Sequence, residues 1–251
     1  MPRHLIHCVS LAALFTLSGC IGGGGEPEEI APRYGRADRM VYDTVHMQVE
    51  FNRDLYTVVI DLDPAAAPQT VENFKKNIAS GYYRGLKFHR VIDDYLVQTG
   101  DPLTRKMARK DDWGTGGPNY TVPAEIGLKH TRGAVATARL GDDENPSKAS
   151  SGSQFYIALK DLPHLDRSYT VFGYVRDEGP GMKMLDMLSR TPADTNDVPL
   201  KPAIVHAIGL TRADAPVGKS RPIEPSSSKP ESPVESDPDE STSSRIIKKF
   251  W

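Results

Sequence analysis

The chain is poor in most features that would fix a function by composition. It has two cysteines, Cys8 and Cys20, both close to the N-terminus, so a disulfide framework is excluded and stability must come from a hydrophobic core. Long apolar runs are missing: residues 8–17 fall well short of the roughly 20 residues that a membrane-spanning helix needs. Neither sign of charge prevails, with 31 Lys and Arg against 33 Asp and Glu and a formal net charge of −2. Such mild acidity gives no long-range attraction to nucleic acid, and no nucleic-acid partner is expected. The seven histidines form no His-Glu-x-x-His or other close-spaced ligand set, so neither a metal nor a cofactor is expected. Gly152-Ser153-Gln154 lacks the glycine that follows a hydrolase nucleophile, and no repeat of 20–50 residues is visible.

The two ends differ from the middle. Residues 1–19 read as a signal peptide, with Arg3 and His4 before the apolar run. That run ends in Leu17-Ser18-Gly19-Cys20, which resembles a bacterial lipobox, in which the peptide is cut before the cysteine and the cysteine is acylated. Cys20 is therefore expected to carry lipid, since two or three acyl chains anchor firmly at about 0.8 kcal/mol per buried methylene. Residues 20–40, with the glycines at 22–25, read as a flexible linker off the membrane. Residues 213–251 are rich in serine, proline and acidic side chains and are expected to be disordered, because so few apolar groups cannot offset the entropy of ordering. These signals imply an exported lipoprotein anchored to a membrane of the cell envelope, and a periplasmic location if the source has two membranes.

Residues 41–212 are long enough for one well-buried domain. Val45, Met47, Val49 and Phe51 alternate with polar residues, the period of a half-buried strand. Asn52-Arg53-Asp54 turns that strand into a second at 55–62, giving a hairpin. Pro68 opens a helix whose Val71, Phe74 and Ile78 share a face, and Gly81 closes it. Further β-like runs lie at 87–92, 95–99, 134–138, 154–159, 170–175 and 203–210, and a second helix is expected over 182–189. Short strands with two helices suggest an antiparallel β domain, and periodicity leaves barrel and sandwich both open.

Two short apolar runs carry Arg90 and Gln98, within Tyr83-Arg84-Gly85-Leu86-Lys87-Phe88-His89-Arg90-Val91-Ile92 and Gln98-Thr99-Gly100-Asp101. An arginine aimed into an apolar groove suits chemistry in which an amide rotates and no covalent bond breaks. This segment closely resembles the cyclophilin signature, and the resemblance recurs in Gly152-Ser153-Gln154-Phe155-Tyr156 and Val171-Phe172-Gly173, in the same order. It implies a mainly β fold, a closed eight-stranded antiparallel barrel capped by a helix at each end. It also implies a peptidyl-prolyl cis-trans isomerase, without cofactor and expected as a monomer, acting on proline-containing polypeptides. By motif position Arg90 falls on the catalytic arginine and Gln98 on the glutamine that binds the substrate backbone. Tyr95 and Leu96 fall on the apolar wall of the proline pocket, Tyr156 on its floor, Leu165 and Tyr169 on the remaining wall, Gln154 on the glutamine two residues before Tyr156, Gly114 on the glycine turn beside the groove, and Ala138 and Arg139 on the backbone-binding pair.

Some positions depart from the family pattern. Tyr95 and Tyr156 stand where phenylalanine is usual, so each adds a hydroxyl that needs a partner. His164 stands where cyclosporin-sensitive members have tryptophan, which implies weak binding of that drug. His89 reads as structural, since neighbours on a strand point to opposite faces, and Phe88, Phe155 and Phe172 read as core. The competing reading is a non-catalytic module that holds proline peptides in the same groove, anchored in the envelope; an isomerase assay separates the two.

Overall fold

A computed structural model describes residues 43–211. The expected signal peptide, the acylated Cys20, the linker and the C-terminal tail lie outside the described residues. Strands β1 (Thr44–Phe51) and β2 (Asp54–Leu62) form the expected hairpin. Its two-residue turn puts both Asn52 (φ 53°) and Arg53 (φ 73°) in the left-handed region. That is the backbone of a turn whose twist matches the flanking strands. Helix α1 (Pro68–Ala79) follows, with Val71, Phe74 and Ile78 buried as the spacing predicts. Its N-cap, Ala67, has no side-chain acceptor. The carboxylate of Glu125 takes that place from far along the chain, accepting the N–H of Gln69 at 3.0 Å and of Thr70 at 2.9 Å.

The remaining elements are β3 (Arg90–Ile92), β4 (Leu96–Thr99), β5 (Thr121–Val122), β6 (Ala134–Thr137), β7 (Ser150–Ser151), β8 (Phe155–Ala158), β9 (Val171–Val175), α2 (Pro180–Ser189) and β10 (Ile204–Thr211). Short 3-10 turns at Pro102–Arg105, Met107–Asp112 and Pro163–Leu165 are new relative to the sequence reading. Helix α2 starts two residues before the expected 182, on Pro180, which suits the first helical position.

Eight strands make one antiparallel sheet in the order β10-β1-β2-β9-β6-β8-β4-β3, and β5 pairs with β7 apart from it. The expectation of a closed barrel is met only in part. The sheet curls, but its edge strands β10 and β3 share no ladder. One isolated bridge, Lys87 with Ile204, and the bond from the Phe88 N–H to the Ala203 carbonyl at 3.0 Å cross the gap. Pro199 and Pro202 lie in the stretch that would continue β10 alongside β3, and a residue without an N–H cannot extend a ladder.

Alternation along each strand sorts side chains into two clusters. Val91, Val97, Val135, Phe155 and Ile157 enter the main core with β1, β2, Phe88, Phe172 and the apolar faces of both helices. Their strand neighbours Leu96, Ala134, Ala136, Tyr156 and Ala158 join a second cluster on the opposite face of the sheet, with Leu165 and Tyr169. That second face carries the site.

Candidate active site

Register places the candidate side chains in a row. Arg90 pairs with Gln98, Gln98 with Tyr156, and Tyr156 with Ala136 across four consecutive strands. All four residues are out of phase with Val91, Val97, Ile157 and Val135, so they occupy the face of the second cluster. Arg90, Leu96, Gln98, Tyr156, Leu165 and Tyr169 line a hollow with about 200 Å³ of empty space, counted to include its open mouth. One guanidinium and one amide thus border an otherwise apolar and aromatic recess.

A buried polar network stands behind this wall. Gln98 donates from Nε2 to Oε1 of Gln154 at 2.9 Å. Gln154 in turn donates from Nε2 to the carbonyls of Gly114 at 3.1 Å and Gly116 at 2.7 Å. The Asp101 carboxylate, wholly buried, accepts the N–H of Leu103 at 2.7 Å and of Gly116 at 3.1 Å, and also that of Gly114. The glycine turn therefore fixes the Gln154 amide, and Gln154 fixes Gln98. Gly100 is required next to this chain: its φ is +100° and an added Cβ would lie 2.2 Å from the Ser153 carbonyl oxygen.

A second chain runs from the Tyr156 hydroxyl. Asp166 Oδ1 lies 2.9 Å from Nδ1 of His130 and also accepts the backbone N–H of His130 at 2.8 Å. Because the carboxylate can only accept, it holds the proton on Nδ1. Nε2, 2.9 Å from the tyrosine oxygen, is then the acceptor for the Tyr156 O–H. Burial pushes the His130 pKa down, partly offset by Asp166, and pushes the Tyr156 phenol well above its ordinary value. Both groups stay neutral at pH 7. Arg90 meets Asp197 through Nε and Oδ2 at 3.3 Å.

Residues 46–210 match the sequence profile of the family described as cyclophilin type peptidyl-prolyl cis-trans isomerase/CLD. The chain belongs to this family. It is similar to peptidyl-prolyl cis-trans isomerase-like 3 of Gallus gallus, 38% identical over 168 residues, covering 64% of this chain and 97% of that protein. It is also similar to a peptidyl-prolyl cis-trans isomerase of Helicobacter pylori, 34% identical over 150 residues, covering 59% of this chain and 82% of the relative. The crystal structure of a Cryptosporidium parvum cyclophilin type isomerase superposes with a TM-score of 0.57 at 27% identity, covering 68% of this chain and 98% of that one. A second structure of that protein, determined in the presence of the dipeptide Ala-Pro, gives a TM-score of 0.56 at 26% identity, covering 67% of this chain and 98% of that one. As a cyclophilin the protein is a peptidyl-prolyl cis-trans isomerase enzyme.

The cyclophilin positions named from the sequence sort into lining and supporting groups. Arg90, Leu96, Gln98, Tyr156, Leu165 and Tyr169 come together around the hollow. Gln154 stands behind Gln98, and Gly114 one bond further on. Tyr95 does not line the hollow; its ring sits beside His164, 5.8 Å between centroids, with its hydroxyl on Nε2 of that histidine. Ala138 has both backbone groups engaged within the protein, its N–H donating to the Gln154 carbonyl at 3.0 Å and its carbonyl accepting from Ser151 at 2.8 Å. The Arg139 guanidinium binds the Ser168 carbonyl at 2.7 Å, the Leu140 carbonyl at 2.8 Å and Asp142 at 2.6 Å, and lies 4.6 Å over the Tyr169 ring. Its side chain therefore braces the loop after residue 139 against the pocket wall. His89, just before β3, is buried, with the Asp101 carboxylate acting on it.

The sequence reading did not single out Asp101, His130, Asp166 or Asp197 as parts of the site. Asp101 had a signal, since an aspartate before Pro102 and ahead of the Gly114-Thr115-Gly116 turn suits a cap. His130 and Asp166 are 36 residues apart and Arg90 and Asp197 are 107 apart, and nothing local marks either pair.

Proposed function

We propose that this isomerase turns X–Pro bonds by holding the Arg90 guanidinium against the imide nitrogen as the amide twists. A planar imide resists rotation by about 18–20 kcal/mol because of resonance. At the half-turned geometry the nitrogen pyramidalises and regains a lone pair, which a fixed cationic donor stabilises more than it stabilises either planar isomer. Arginine keeps its proton and its fork of donors throughout. Gln98, oriented by Gln154, holds the substrate backbone, and Leu96, Tyr156, Leu165 and Tyr169 receive the pyrrolidine ring. The observation that carries this reading is the cross-strand row of Arg90, Gln98 and Tyr156 around one hollow. The Ala-Pro dipeptide named for the Cryptosporidium parvum structure supports proline peptides as the ligand class.

The lipobox-like stretch ending in Cys20 supports an exported enzyme tethered to a membrane and serving exported polypeptides. The deciding experiment is a protease-coupled isomerase assay on wild type and Arg90→Ala. One charged hydrogen bond contributes about 1.5–3 kcal/mol, so the variant should lose about ten- to a hundredfold in kcat/KM while melting normally. Full turnover by Arg90→Ala would end the arginine mechanism.

A further inference from the structure

Arg90 lies on a three-residue strand at the edge of the sheet, where only β4 pairs with it along a ladder. A long side chain in that position has many rotamers, with roughly 2 kcal/mol of conformational entropy to lose on being fixed. The geometry points to Asp197 as a positioning residue that helps to fix it, an inference resting on the proposed role of Arg90. Asp197 addresses this short strand twice. Its carboxylate oxygen Oδ2 is 3.3 Å from Nε of Arg90, and its backbone carbonyl accepts the N–H of Val91 at 2.9 Å. One residue thus holds both the main chain that carries the arginine and the root of its guanidinium.

The turn that presents Asp197 is built for that purpose. Asp197 has a φ of +61°, a left-handed conformation unfavourable for a residue with a side chain, though aspartate and asparagine tolerate it best. The surrounding turn keeps it there: the Asp197 N–H donates to the Asp194 carbonyl at 3.0 Å. The Asp194 carboxylate accepts the N–H of Asn196 at 2.9 Å and of Val198 at 3.1 Å. Lys110, from the 3-10 turn at Met107–Asp112, holds the same carboxylate at 2.9 Å and ties the turn to a third segment. Such bracing of a strained aspartate directly opposite Arg90 is what a preorganised guanidinium requires.

Asp197→Gly removes the carboxylate and keeps the φ, whereas Asp197→Asn keeps an acceptor oxygen and tolerates the same φ. Each is made in wild type and in Arg90→Ala, with kcat, KM and thermal midpoint measured. Asp197→Gly should lower kcat about tenfold with KM little changed, because the lost order acts on the twisted state. Asp197→Asn should stay within about threefold of wild type, and in the Arg90→Ala background Asp197→Gly should add less than about a twofold loss. Wild-type turnover by Asp197→Gly, or an undiminished loss when Arg90 is already absent, would overturn the assignment. If Arg90→Ala keeps full turnover, it is the arginine mechanism that has failed, and this inference falls with it.

Discussion

Acid should destabilise this protein through His89 before its carboxylates titrate. The ring is fully buried, and neither ring nitrogen reaches a partner in good hydrogen-bond geometry. Burial lowers its pKa to about 4, against an opposing pull from the Asp101 carboxylate. In the unfolded chain the group titrates near 6.5. As pH falls below about 6.5, the unfolded chain takes up a proton that the native protein refuses, so stability is lost down to about pH 4 and then levels off. At about 1.4 kcal/mol per pH unit the whole loss is about 3 kcal/mol. His130, whose pKa burial also lowers, adds to it with the same sign. Urea denaturation of wild type and His89→Leu at pH 7, 6, 5 and 4 measures the effect. Carboxylates remote from His89 titrate alike in both proteins, so the difference between their unfolding free energies reports on His89 together with its neighbour Asp101. That difference should shift by about 3 kcal/mol in favour of the leucine variant between pH 7 and 4. A difference independent of pH would refute the argument.

Three further outcomes follow from the site. Tyr156→Phe leaves the ring on the hollow but strips His130 Nε2 of its donor, at a cost of about 1–2 kcal/mol. The thermal midpoint by calorimetry should fall by about 2–8 °C while kcat/KM stays within a few-fold. Asp101→Ala orphans the N–H groups of Leu103, Gly114 and Gly116, of which that of Gly114 is buried and the others part-buried, so denaturant unfolding should show a loss of about 2–3 kcal/mol. A soluble Asp101→Ala with unchanged stability would contradict the network. Cyclosporin should bind weakly, because His164 replaces the tryptophan of sensitive cyclophilins and its Nε2 is engaged by Tyr95; calorimetry giving a Kd comparable to theirs would overturn this.

What the sequence made legible was periodic or local. The β1–β2 hairpin followed from alternation in the first strand and the turn residues Asn52-Arg53-Asp54, of which Asp54 already begins β2, and α1 from Pro68, Gly81 and one apolar face. The six residues around the hollow were named from the family resemblance, Arg90, Gln98 and Tyr156 through short motifs that contain them. The edge gap between β3 and β10 was less legible, since it depends on where Pro199 and Pro202 fall relative to a strand distant in sequence. Ala138 and Arg139 show what motif position leaves open. Both sit at the right motif positions, yet the backbone of one is committed to Gln154 and Ser151 and the guanidinium of the other to Ser168, Leu140 and Asp142. Only three-dimensional neighbours decide such commitments. The Asp166–His130–Tyr156 and Asp197–Arg90 contacts belong to the same class.

The row from Ala136 to Arg90 runs from the middle of the sheet to its rim. Its inner members are clamped by partners on both sides, while the outermost strand has a laddered neighbour on one side only. On the proposed reading, a guest proline rests against strands paired on both sides, and the guanidinium reaches it from the rim, where Asp197 stands in for the missing second ladder. That arrangement suits the proposed turnover, in which the guest keeps its ring still while the rest of the chain swings round.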